Sequence, residues 1–119
     1  MKWYLSKIVF RILCGDGNHT AQFDEQLRLI AANDETEAYE KAMAIGAREE
    51  ETFYNQKQQL VRWQFVNIAE LYRLSELIDG AELCSRINEV DDPEDYIHFI
   101  NRRAESIRDK TTHQLLQLI

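Results

Sequence analysis

The chain has 119 residues, 45% of them hydrophobic and 29% charged, and a formal net charge of −7. That length fits one α+β domain spanning 1–119, and folding should hide roughly two-thirds of the unfolded surface, enough for a core without disulfides or a structural metal. The charge is spread evenly, with 7 basic and 10 acidic side chains in 1–57 and 7 and 11 in 58–119. No basic half or tail is present to attract a phosphate backbone or an anionic membrane surface, so neither nucleic acid nor membrane is an expected partner.

The first expected strand covers 3–14. One of its faces carries Tyr4, Ile8, Phe10, Ile12 and Cys14; the other carries Trp3, Leu5, Val9 and Leu13, interrupted by Lys7 and Arg11. A strand apolar on most of both faces is central or covered on two sides. The same stretch lacks the unbroken apolar run and small-residue cleavage site of a signal peptide, and no run approaches the ~20 residues that span a bilayer. With Cys14 and Cys84 as the only cysteines, the expectation is a soluble cytoplasmic protein with two reduced thiols.

Gly15-Asp16-Gly17-Asn18-His19-Thr20 is the clearest loop, because Gly supplies positive φ and Asp and Asn bond their own backbone. A strand returns over 23–31, with Phe23, Leu27, Leu29 and Ala31 on one face and Asp24, Gln26 and Arg28 on the other, which predicts a long-looped antiparallel hairpin. Asp34-Glu35-Thr36-Glu37 reads as a capping box opening a helix over 34–53, with Ala38, Ala42 and Ile45 as a small-residue stripe for close packing on a sheet. Glu49-Glu50-Glu51 falls in the last turn of that helix, where the dipole disfavours negative charge.

After a polar connector at 55–59, Val61, Trp63 and Phe65 alternate with Arg62 and Gln64 in a third strand over 60–68. The pattern leaves 66–78 open between strand and helix. Asp79-Gly80 signals a turn, and 81–90 reads as a fourth strand. Asp91-Asp92-Pro93-Glu94-Asp95 is a strong helix start, with an Asp cap and Pro at the first helical position. Tyr96, Ile97, Ile100, Ala104 and Ile107 give the helix its apolar face, which Thr111-Thr112 interrupts. Residues 112–119 end in Leu115, Leu116, Leu118 and Ile119, apolar surface that must be hidden against the core or a second chain or else fray. The expected fold is α+β: a four-stranded, mainly antiparallel sheet in the order ββαββα, with helices packed on one face. The two-faced first strand and the apolar end also argue for a homodimer.

The run Trp3-Tyr4-Leu5-Ser6-Lys7-Ile8-Val9-Phe10, the Glu- and Ala-rich helix at 35–46, Val61-Arg62-Trp63-Gln64-Phe65 within 55–65, and Asp79-Gly80-Ala81-Glu82-Leu83-Cys84-Ser85 resemble the uncharacterised bacterial family catalogued as domain of unknown function 4288. The resemblance covers about residues 1–90. It implies a small stand-alone bacterial domain and carries over no activity and no functional residue.

Candidate chemistry is sparse. Cys14, Asp16 and His19 are the best metal-binding or nucleophilic set, with Cys84 as an added thiol. A zinc site wants two closely spaced ligand pairs and a catalytic cysteine wants a base in hydrogen-bonding reach; one Cys with a His five residues on supplies neither by itself. An EF-hand counted from Asp16 would need Gly and Glu where Ala21 and Leu27 stand. The acids at 49–51 and 91–95 suit a solvated face and a helix cap better than general acid–base work. Trp3, Tyr4, Phe23, Trp63 and Phe65 could stack bases only with more flanking positive charge than this chain has. No phosphate-cradling glycine spacing exists. No catalytic, cofactor-binding or metal residue is therefore assigned.

The leading expectation is a non-enzymatic protein-binding module, with a protein partner or a second copy of itself. Its working surfaces would be the loop residues Asp16, Asn18 and His19, the strand positions Lys7 and Arg11, and Leu115, Leu116 and Leu118 at the end. One alternative is an acidic inhibitor or immunity-type protein covering a basic partner, motivated by Glu49–Glu51 and Asp91–Asp95. Another is a small enzyme or metal-binding protein using Cys14, Asp16 and His19.

Overall fold

In a computed structural model, which describes the backbone of residues 1–117 and the side chains of residues 1–110, the chain forms two compact units, Met1–Ser85 and Arg86–Ile119. The first unit is a four-stranded antiparallel sheet with one helix; the second holds a single helix. The element order is ββαββα, an α+β fold.

The strand apolar on both faces, β1 (Lys2–Cys14), lies inside the sheet, as two-sided burial requires. It pairs with β2 (Gln22–Ala32) in an unbroken antiparallel register from Lys2↔Ala32 to Ile12↔Gln22. The helix α1 (Glu35–Arg48) follows. Two further strands complete the sheet, β3 (Glu51–Tyr54) and β4 (Leu60–Leu74), in the spatial order β2-β1-β4-β3. The β1–β4 register shifts twice, between Lys7 and Ile8 and between Val9 and Phe10. Each shift places an extra β4 residue, Ala69 and Val66, opposite no partner, and such bulges bend a strand and sharpen its twist.

The core lies between the sheet and α1. Tyr4, Ile8 and Phe10 of β1, Ile30 and Ala32 of β2, and Ala38 and Ala42 of α1 are buried there, with Phe65, Ile68 and Leu71 of β4 packed against them. The cap forms as the capping box predicts: the Asp34 carboxylate accepts from the Glu37 backbone N–H at 2.8 Å, while the Glu37 carboxylate reaches back to the Asn33 N–H at 3.0 Å. At the other end of α1, Gly46 sits against the Phe65 ring, and a Cβ there would overlap it.

Three boundaries differ from the sequence reading. The first helix stops at Arg48 rather than Phe53. Glu49, Glu50 and Glu51 are poor company for a helix C-terminus, and Thr52, Phe53 and Tyr54 favour a strand, so the chain turns out of the helix and pairs with β4 as β3. The open stretch at 66–78 is strand as far as Leu74. Residues 81–90 form no strand, although Leu83, Ser85 and Ile87 alternate. Leu83 and Ile87 are exposed, and alternation alone, with neither face buried, does not make a strand.

In the second unit, α2 (Pro93–Gln117) runs unbroken through Thr111 and Thr112. Asp92 caps it, its carboxylate accepting from the Glu94 and Asp95 N–H groups at 3.0 and 3.2 Å. Ile97, Phe99, Ile100 and Ile107 on this helix are exposed. Among the described residues no helix is long and apolar enough to cross a membrane.

Candidate functional site

The loop after β1 holds the first set of candidates. Positive φ at Gly15 and Gly17 turns the chain, and Asp16 closes an Asx turn by accepting from the Asn18 N–H at 2.9 Å. His19 folds back over the turn. Its Nε2 accepts from the Cys14 backbone N–H at 3.0 Å, which leaves Nδ1 to donate to the Thr20 carbonyl at 2.8 Å. Both ring nitrogens are thus engaged by backbone groups. The Cys14 thiol points to the neighbouring hairpin between β3 and β4, donating to Gln59 Oε1 at 3.4 Å and accepting from Asn55 Nδ2 at 3.6 Å. The fold brings Cys14, Asp16 and His19 into one loop, but it uses Asp16 and His19 as staples and leaves neither nitrogen of His19 to bind a metal or take a thiol proton. Among the described residues no group of three or more His, Cys, Asp or Glu side chains is gathered as a metal site. Cys84 is exposed and unbridged.

The sheet face opposite α1 carries Lys7 and Arg11. Arg11 is exposed. Lys7 is not: its side chain is only 15% exposed and lies between Glu70 at 3.3 Å and Glu25 at 3.9 Å. The register places Leu29, Leu5 and Tyr72 in one row across β2, β1 and β4, and Leu27, Lys7 and Glu70 in the next. Phe23, Leu27 and Leu29 stand half-exposed on this face. Of the C-terminal candidates, Leu118 and the side chains of Leu115 and Leu116 lie outside the described residues.

A third arrangement was not anticipated. Because the β1 residues facing α1 are even-numbered, the register turns Asp24, Gln26 and Arg28 of β2 to the helix side and the apolar Phe23, Leu27 and Leu29 away from it. The polar side chains form a line: Trp63 Nε1 donates to Asp24 Oδ2 at 3.1 Å, Gln26 Nε2 donates to the same oxygen at 2.6 Å, and Arg28 donates to Gln26 Oε1 at 2.8 and 3.1 Å. Arg28 ends the line 3.9 Å from Glu49, just past α1. Where β3 approaches, Phe53 stacks on Trp63 with ring centroids 6.3 Å apart and an interplanar angle of 23°. Asp24, Gln26, Glu49, Glu51, Phe53 and Trp63 line an open trough of about 330 Å3. Glu50 is turned aside, accepting from the Phe65 N–H at 3.2 Å. The available signal was Glu49-Glu50-Glu51 next to Phe53, but it assembles a trough only if the helix stops before it.

The molecule is therefore of the α+β sheet-and-helix class, with Asp16 and His19 engaged as loop staples and Asp24, Gln26 and Arg28 in a hydrogen-bonded line. The family model "Domain of unknown function (DUF4288)" matches residues 3–85, most of the chain and nearly all of its first compact unit, and the chain belongs to that family. Comparison with curated proteins finds no match, and neither does comparison with solved structures.

Proposed function

We propose that this chain is a non-enzymatic protein-binding module whose trough takes a basic side chain from a partner. The observation that carries the reading is the trough itself: the carboxylates of Asp24, Glu49 and Glu51 around the stacked Phe53–Trp63 pair. A guanidinium or ammonium group gains both from an aromatic face and from charge-assisted bonds to carboxylates. The same feature favours the sharper form, an acidic protein that covers a basic partner. The acids at 91–95 add less to that form, since Asp92 is occupied as a helix cap.

The test is recovery of the tagged full chain from its native host at low and high salt, beside the variant Glu51→Lys. A stoichiometric basic protein held by the wild type at low salt, released at high salt and lost with Glu51→Lys is the expected result. A partner held equally by the variant overturns the trough as its site. Recovery of the chain alone under all conditions overturns the binding-module reading.

A further inference from the structure

The sheet has two open edges of different quality. Beyond its short pairing with β3, the outer edge of β4 is broken by the bulges at Val66 and Ala69, a device that blunts an edge against further pairing. The β2 edge has no such protection over most of its length. It is 11 residues long, regular throughout, and no strand lies beyond it among the described residues.

Backbone direction fixes which groups that edge presents. The Cys14 N–H points to His19, on the β2 side, and the Gly15 N–H points to the Leu60 carbonyl of β4. Even residues of β1 therefore bond β2, and through the register even residues of β2 bond β1. The odd residues Phe23, Glu25, Leu27, Leu29 and Ala31 turn N–H and C=O outward. Lys41 confirms the phase by donating to the Ala31 carbonyl from outside the ladder at 2.5 Å, and this closes the edge at its Ala31 end.

We infer that the β2 edge pairs with the β2 edge of a second copy, antiparallel about a two-fold axis at Gln26, joining two four-stranded sheets into one of eight. The sequence selects this register. An axis at Glu25 sets Glu25 against itself, and one at Arg28 sets Arg28 against itself. An axis at Leu27 leaves Asp24 opposite Ile30 and Arg28 opposite Gln26. With the axis at Gln26, Asp24 faces Arg28 of the second copy and Arg28 faces its Asp24, at the separation where cross-strand charge pairs act. On the other face Phe23 meets Leu29 of the second copy, twice by symmetry, and these side chains are 55% and 49% exposed in the single chain. The ladder then covers 22–30 and stops short of Ala31, whose carbonyl Lys41 already holds. Four outward-facing residues of each copy, Phe23, Glu25, Leu27 and Leu29, exchange backbone hydrogen bonds.

This inference goes beyond the trough reading and shares only Asp24 with its carboxylates; it is read from the mass of the isolated protein, so its failure leaves recovery of a basic partner, tested at Glu51, untouched. The test is the mass of the purified full chain in solution by light scattering, over micromolar to millimolar concentration. The expected wild-type mass is twice the 14.1 kDa of one chain. Asp24→Arg and Arg28→Asp should each have the mass of one chain, because each sets like charges across the seam, and mixing the two in equal amounts should restore the doubled mass as a heterodimer. Leu27→Pro removes an outward N–H that the single chain leaves unbonded to β1, so it should keep the circular dichroism of the wild type and abolish the dimer. Amide exchange of Phe23, Glu25, Leu27 and Leu29 should slow as concentration rises. A wild-type mass of one chain throughout, or a folded Leu27→Pro that remains dimeric, overturns the inference.

Discussion

Ser6 and His19 show how individual side chains are committed inside this fold. Ser6 is fully buried on the helix side of β1, and its hydroxyl has no hydrogen-bond partner among the described residues. A buried hydroxyl left unbonded costs about 1–3 kcal/mol, while Ala in its place removes little apolar contact. Ser6→Ala is therefore expected to leave stability unchanged or raise it by up to about 1 kcal/mol, as read from urea unfolding midpoints. His19 has the opposite character, since both its nitrogens bond backbone. The geometry requires the tautomer with the proton on Nδ1, which long-range 15N–1H NMR at neutral pH should show directly. His19→Ala should lower stability by about 1 kcal/mol through loss of the loop staple. An unchanged unfolding midpoint would mean that water replaces His19 at no cost. The sequence marked His19 as a ligand candidate by residue type; its role was set by the turn at Gly15 and Gly17, which brings Nε2 to the Cys14 N–H.

Among the elements, those with local signals were legible and those chosen by competition were not. β1, the 15–21 loop and β2 announce themselves through alternation and turn residues, and Asp34–Glu37 and Asp92–Pro93 are local helix-start signals that cap α1 and α2 here. The end of α1 is different. A helix to Phe53 and a helix stopping at Arg48 both satisfy the local pattern, and the outcome depends on the free edge of β4, distant in sequence, that takes up β3. The alternating stretch at 81–90 pairs with no edge and forms no strand. The trough shared this fate, since Glu51, Phe53 and Trp63 meet only once β3 exists. Gly46 marks the contact that sets α1 on the sheet. By helix propensity alone Gly46→Ala would gain about 1 kcal/mol. The added Cβ would overlap the Phe65 ring, and overpacking of this kind costs about 1–3 kcal/mol. The expected net result is a lower thermal midpoint, and Phe65→Leu, by vacating ring volume, should recover part of the loss in the double variant. A stabilised Gly46→Ala would show that α1 slides freely on β4.

For the whole molecule, the match to the family and the division of the chain coincide. The family model covers residues 3–85, and the first compact unit is Met1–Ser85. Every buried residue of the main hydrophobic cluster, from Tyr4 to Ala42, belongs to that unit, as do Phe65, Ile68 and Leu71 packed against it. A described cluster that lies within one stretch of chain marks that stretch as a unit with its own core. A chain ending at Ser85 should therefore fold with the same sheet signal in circular dichroism as the full protein, and with a thermal midpoint within about 4 °C, the shift that corresponds to roughly 1 kcal/mol in a unit of this size. The measurement also separates two sources of self-association. β2 remains in the shortened chain, whereas α2, with its exposed Ile97, Phe99, Ile100 and Ile107, does not. A shortened chain that keeps the doubled mass assigns association to the sheet edge. One that folds but has the mass of a single chain moves the interface to α2 and removes the case for an eight-stranded sheet.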